Sequence, residues 1–194
     1  MKNLLAVLMF IALVSCESNK DQNSEYNPKA IELNNKAIKL SQNFKEDSAL
    51  MLYDQAIAMD SSYFLPHFNK VGIYLKNKEY EKALFESEMV VKKKPDSAEG
   101  WFLAGLLNEH LGNKEKAMSY YEKSIGLYSG RIKNAEIEGE INDGKLNRAL
   151  SKKFLGDNSY IEDFEELGKI EDYAELVKEF KTKSKEELMN EFIK

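Results

Sequence analysis

The chain has a single cysteine, Cys16, in 194 residues. With no second thiol there is no internal disulfide, so stability has to come from packing. Arginine is almost missing as well. Arg131 and Arg148 are the only two, and forked guanidinium capture of phosphate is correspondingly scarce. Positive charge does not dominate either, because the net charge is −5. Nucleic acid and anionic lipid headgroups both need a basic surface, which argues against either as a partner. The densest basic run, Lys92-Lys93-Lys94, falls at an expected helix end, where cations suit the helix dipole. The two histidines, His67 and His110, belong to no paired Cys/His spacing, so no zinc site is expected. There is no glycine-rich phosphate loop and no nucleophile elbow. Acidic clusters such as Glu162-Asp163, Glu165-Glu166 and Glu171-Asp172 alternate with lysines and read as solvated helix faces. Asn142-Asp143-Gly144 lacks the alternating oxygen ligands of a calcium loop. The expectation is a protein without metal or cofactor, and not an enzyme.

What is present begins at the N-terminus. Lys2 precedes an apolar run from Leu4 to Val14. Eleven residues are too few to span a bilayer, which takes about 20. A cation followed by a short apolar run fits an export signal. Leu13-Val14-Ser15-Cys16 then resembles the lipobox of bacterial lipoproteins: two aliphatic residues, a small one and a cysteine. The resemblance implies a diacylglyceryl group on the Cys16 thiol, cleavage just before it and often a further acyl chain (palmitate, for example) on the new amino group. Each buried CH₂ is worth about 0.8 kcal/mol, so several chains anchor stably where one does not. Residues 1–15 are then a cleaved signal peptide, and 16–27 a lipidated cysteine and flexible tether. The tether reads ESNKDQNSEYN and has too few apolar side chains to order itself. The expected location is the bacterial cell envelope, lipid-anchored to a membrane and facing periplasm or exterior.

Self-comparison gives the architecture. Ala49, Ala83 and Ala117 stand 34 residues apart. Tyr53, Ser87 and Tyr121 follow each by four, and Ala56, Val90 and Ser124 come three later. Twelve residues upstream of the alanines sit Ala37, Val71 and Gly105, and each unit opens on Leu33, His67 or Trp101. Small residues at two fixed points let antiparallel helices approach closely, and large ones between them interlock. One such hairpin cannot cover its own apolar face, so the units must stack. The pattern resembles the tetratricopeptide repeat (TPR), a 34-residue helix-turn-helix. It implies an all-α, TPR-type solenoid of antiparallel helix pairs. Three units are expected over 28–129, at about 30–63, 64–97 and 98–131. Asn27-Pro28 and Asp96-Ser97-Ala98-Glu99 read as helix starts, and Leu111-Gly112-Asn113 as a break between helices.

Beyond residue 130 the period fails, because a further step of 34 from Ala117 lands on Ser151. Residues 130–194 read as an insertion ending at a turn Asp143-Gly144, a degenerate fourth helical pair and extra C-terminal capping helices. Ser159–Glu162 and Ser184–Glu187 have the form of capping boxes, and a helix is expected at about 171–181 between them. The last helix, with Leu188, Phe192 and Ile193 on its apolar side, either caps the stack or occupies its groove.

In the TPR family the first helix of each unit lines a concave groove. By register the groove positions are Asn34, Ile38 and Gln42; Phe68, Gly72, Leu75 and Lys76; then Phe102, Leu106, Glu109 and His110. The family's two-carboxylate clamp is not expected, since its slots read Asn34, Ile38, Asn69, Glu99 and Leu103 and only Asn69 fits. The apolar middle suits an amphipathic helix laid in the groove. The resemblance thus implies a membrane-anchored scaffold mediating protein–protein interactions, its protein or peptide partner unnamed. The alternative is an accessory lipoprotein of an envelope transporter or enzyme, binding a peptide or glycan.

Overall fold

The computed structural model describes residues 25–193; Cys16 and the expected export signal lie outside them. Ten helices account for the described regular structure. They are α1 (Pro28–Gln42), α2 (Glu46–Met59), α3 (Leu65–Lys76), α4 (Tyr80–Lys93), α5 (Ala98–His110), α6 (Lys114–Asn134), α7 (Glu138–Leu155), α8 (Tyr160–Leu167), α9 (Glu171–Thr182) and α10 (Lys185–Ile193). None is long and apolar enough to cross a membrane. The chain divides into two compact units at Pro95–Asp96.

Local chemistry sets the helix starts. At α1 the Asn27 side chain accepts from Lys29 N at 2.9 Å, and Pro28 fills a position whose amide would have no helical partner. At α5 the cap is Ser97, which accepts from Gly100 N at 3.1 Å. Glu99, expected to close a capping box there, instead meets Arg131 of α6.

Each first helix ends in the same way. Lys45 N bonds Leu40 O, Glu79 N bonds Tyr74 O, Asn113 N bonds Asn108 O and Asp157 N bonds Lys152 O, all at 2.8–3.0 Å. These six-residue closures satisfy carbonyls that a helix end leaves over, and they require a left-handed residue just before the donor. That residue is Phe44 (φ 58°), Lys78 (φ 59°), Gly112 (φ 87°) or Gly156 (φ 87°). The first three stand 34 apart in sequence, and only the third is the residue for which this conformation is free of strain.

In the first unit, α1 pairs with α2 and α3 with α4, while α2 lies against α3. Ala37, Ala49 and Ala56 are fully buried, and Tyr53 fills the space beside Ala37 and Ala49. Ala30 and Ala56 bury Tyr63, whose ring centroid lies 4.7 Å from that of Tyr26. Ala83 holds the corresponding position in α4 and is fully buried.

In the second unit, α5 pairs with α6, α6 with α7 and α7 with α8. A β-carbon added at Gly105 would meet the Tyr121 ring, so the α5–α6 approach depends on its absence. Ala117 and Tyr121 are buried, and Trp101, half-buried, stands edge-on to Tyr120 at 4.9 Å. The period fails after residue 130 because α6 has 21 residues where α2 and α4 have 14. Two extra turns in α6 and a longer α7, 18 residues against 13 in α5, put Gly156 44 residues after Gly112, and Ser151 on a first helix.

Three further expectations are corrected. Asp163, read as part of a solvated face, is buried against Arg148 and Lys152 of α7. Asp143-Gly144 is not a turn but lies inside α7, where Gly144 lets the extra turns of α6 come close: a β-carbon there would be 2.8 Å from Ile132 Cγ1. Ser159 forms no side-chain cap on α8; its own amide donates to Asp157 Oδ1 at 2.9 Å.

Candidate functional site

The first-helix face of the first unit comes from α1 and α3. Their amides meet there: Asn69 Nδ2 donates to Asn34 Oδ1 at 2.9 Å. Asn34 is buried by this pairing, and Ile38, one turn on, is half-buried. Phe68 and Leu75 are buried, which turns most of their surface inward, while Gly72 is half-buried and Gln42 and Lys76 are exposed. Lys76 pairs with Glu46 and lies 4.8 Å over the Phe44 ring; Asn77 also donates to Glu46, at 3.0 Å. Hydrogen bonds from Lys76 and then Asn77 hold the Glu46 carboxyl below the ordinary glutamate range.

Beneath this face runs a polar network, buried at His67, Lys70 and Glu86 and exposed at Asp54, that periodicity did not reveal. Glu86 of α4 takes His67 Nδ1 at 2.6 Å on one oxygen and Lys70 Nζ at 2.5 Å on the other. Lys70 also reaches Asp54 of α2 at 2.7 Å. Burial opposes ionisation of Glu86, but hydrogen bonds from His67 and Lys70 outweigh it and hold the carboxyl below its usual value. Burial likewise works against the Lys70 ammonium, yet Asp54 and Glu86 raise its pKa. A buried pair of this kind fixes how three helices meet; it is weak evidence for stability as such.

In the second unit the corresponding face is covered. Phe102 and Leu106 of α5 are buried, Phe102 completely. The Phe102 ring packs on Tyr121 (5.7 Å), Phe154 of α7 (5.5 Å) and Phe192 of α10 (6.5 Å). Glu109 is half-buried; one oxygen accepts from Tyr121 Oη at 2.8 Å and the other pairs with Lys185 of α10 at 2.6 Å. The Glu109 ion pair joins residues too far apart in sequence for spacing to reveal. Glu99, at one of the slots that do not fit the two-carboxylate clamp, is held by Arg131 at 2.5 and 3.3 Å.

Neither face carries a cluster suited to metal binding: no group of three or more His, Cys, Asp or Glu side chains is placed for it among the described residues. What the two faces have is helix surface, apolar in part, with amides and single charges at its margins.

Residues 98–131, which span α5 and most of α6, match the tetratricopeptide repeat family model. The fold is that of a TPR solenoid. Among solved structures, the Sgt2 TPR domain from Aspergillus fumigatus superposes with a TM-score of 0.50 at 18% identity, covering 69% of this chain and 83% of that one. MamA from Desulfovibrio magneticus RS-1 gives a TM-score of 0.50 at 20% identity, covering 87% and 85%. In sequence, the chain is 31% identical over 78 residues to the heat shock protein sti1 homolog of Schizosaccharomyces pombe. That match takes in 40% of this chain and 13% of the relative's length. The TPR register places Ala37, Ala49, Ala56, Ala83, Gly105 and Ala117 at the tight approaches within hairpins, and all six are buried.

Proposed function

We propose that the chain is a scaffold that docks a protein or peptide partner, held by a lipid anchor at a bacterial cell envelope. The α1–α3 face of the first unit carries this reading. Ile38, Asn69 and Gly72 remain half-buried there and Gln42 exposed, on helices that turn Ala37 and Val71 into their hairpins. Such a surface suits an extended or helical segment laid along first helices. Leu13-Val14-Ser15-Cys16 supports the anchor.

Two experiments test the reading. A photo-cross-linker at Gln42 in intact cells should give discrete protein adducts that the same probe at Met51, on α2, does not. The same adducts from both positions would remove the docking face. Labelled palmitate should enter the natural chain and not Cys16→Ala. Equal labelling of the two would remove the anchor.

A further inference from the structure

Part of the second unit's end is closed before the chain reaches its last helix. Helix α9 packs on α8, burying Val177 and Phe180, with Phe180 6.5 Å from Phe164. Yet the chain turns at Lys183-Ser184 and sends α10 back to α5, the first helix of the preceding hairpin.

There α10 behaves as a bound ligand would. Leu188, Phe192 and Ile193 are buried. Phe192 sits among Phe154 (6.0 Å), Phe180 (6.2 Å) and Phe102 (6.5 Å). Lys185, one turn earlier, pairs with Glu109, donates to the Phe154 carbonyl and lies over the Tyr121 and Phe154 rings at 5.8 and 5.7 Å. The four side chains fall at i, i+3, i+7 and i+8, the spacing by which an amphipathic helix anchors in a groove. The hinge is held by polar bonds: Lys153 Nζ donates to the carbonyls of Phe180 (2.6 Å) and Lys183 (2.7 Å), and Lys183 pairs with Glu191 at 2.6 Å.

We propose that the α5–α7 face of the second unit is a helix-binding groove that α10 fills in cis. Its partner is an amphipathic helix of another protein, with a cation at its first turn and apolar anchors three, seven and eight residues later. This rests on the scaffold reading but not on the anchor or on the first unit's face. The apolar anchors supply affinity, and Glu109 holds the cation of the helix's first turn, as it holds Lys185.

The test uses the full chain and a fluorescent peptide of residues 183–194. Binding to the natural chain should be weak, since α10 holds the groove. Phe192→Ala loosens α10 without touching the groove and should tighten peptide binding at least about tenfold, the effect of losing one aromatic anchor. Lys185→Glu, at a partly exposed position, should do the same and serves if Phe192→Ala lowers helical content. Glu109→Lys added to Phe192→Ala should abolish the gain, and a peptide carrying Lys185→Glu should restore it. Equal binding to the natural chain and the loosened variants overturns the proposal. A gain indifferent to the charge exchange overturns it too, leaving only apolar adhesion. Neither result touches the cross-linking at Gln42, so failure here is distinguishable from failure of the scaffold reading.

Discussion

A β-carbon at Gly105 would stand 2.7 Å from Cε1 of Tyr121, so the two helices that carry them meet only because residue 105 has none. Gly105→Ala should therefore overpack the hairpin and cost about 1–3 kcal/mol. Gly144→Ala is the informative contrast. Its new carbon would meet Ile132 Cγ1 at 2.8 Å, part of a flexible, half-buried side chain that can turn aside. The helical preference of alanine over glycine, about 1 kcal/mol, then offsets most of the crowding. Urea unfolding of both variants checks this; equal losses would refute the distinction.

The repeated left-handed turn gives a second prediction. Lys78 occupies the conformation that Gly112 adopts without strain. Left-handed backbone costs an ordinary residue about 1–2 kcal/mol, against which glycine loses about 0.5–1 kcal/mol in unfolded-state entropy. Lys78→Gly should raise stability by about 0.5–1 kcal/mol, seen as a higher urea midpoint at unchanged slope. A lowered midpoint would show that the lysine side chain matters more than its backbone.

Acid should find Glu86. Its folded pKa lies below the ordinary 4.5, so folding favours the ionised form. That contribution is complete above the unfolded value and is lost as pH falls through the lowered folded one. Lys70 is the mirror case: raised above 10.5, it contributes fully below that and loses its share as pH climbs through the raised value. Glu86→Gln should cost about 3 kcal/mol near neutral pH, because it leaves Lys70 and His67 short of a buried partner. It should also flatten the fall in stability below about pH 4.5. Denaturant titrations at several pH values test both parts. An unchanged acid slope would assign the loss to other carboxylates.

The start of α10 supplies a fourth. Ser184 and Glu187 cap each other, the Ser184 amide to the Glu187 carboxylate at 2.7 Å and the Glu187 amide to Ser184 Oγ at 3.1 Å. Ser184→Ala should cost about 1 kcal/mol of helix stability. Hydrogen exchange should then speed up at Leu188 to Ile193 and stay unchanged in α5. Unchanged protection in α10 would mean that its side-chain anchors alone hold it.

The residues most legible in the sequence were those whose size matters. Ala49, Ala83 and Ala117 announced their spacing because a tight approach tolerates little else, and Tyr53 and Tyr121 followed as the large partners. The capping box at Ser184 was legible because its two bonds are local. Gly144 was misread because a glycine marks either a turn or a close approach, and only the neighbour, here Ile132, decides. Lys70 and Glu86 belong to no motif that sequence shows, since nothing in a helical period says that a lysine and a glutamate will be buried together. Phe102 and Leu106 were placed on the first-helix face by register, but the cover of Phe102 by Phe192 depends on a hinge of two residues far along the chain.

That hinge, Lys183-Ser184, has a quantitative consequence. So short a tether keeps α10 at an effective concentration of the order of millimolar beside its groove. A free helix of equal intrinsic affinity would have to accumulate to that level merely to share the site. The groove thus carries a threshold: it ignores weak, abundant helices and opens only to one that binds better than the chain binds itself.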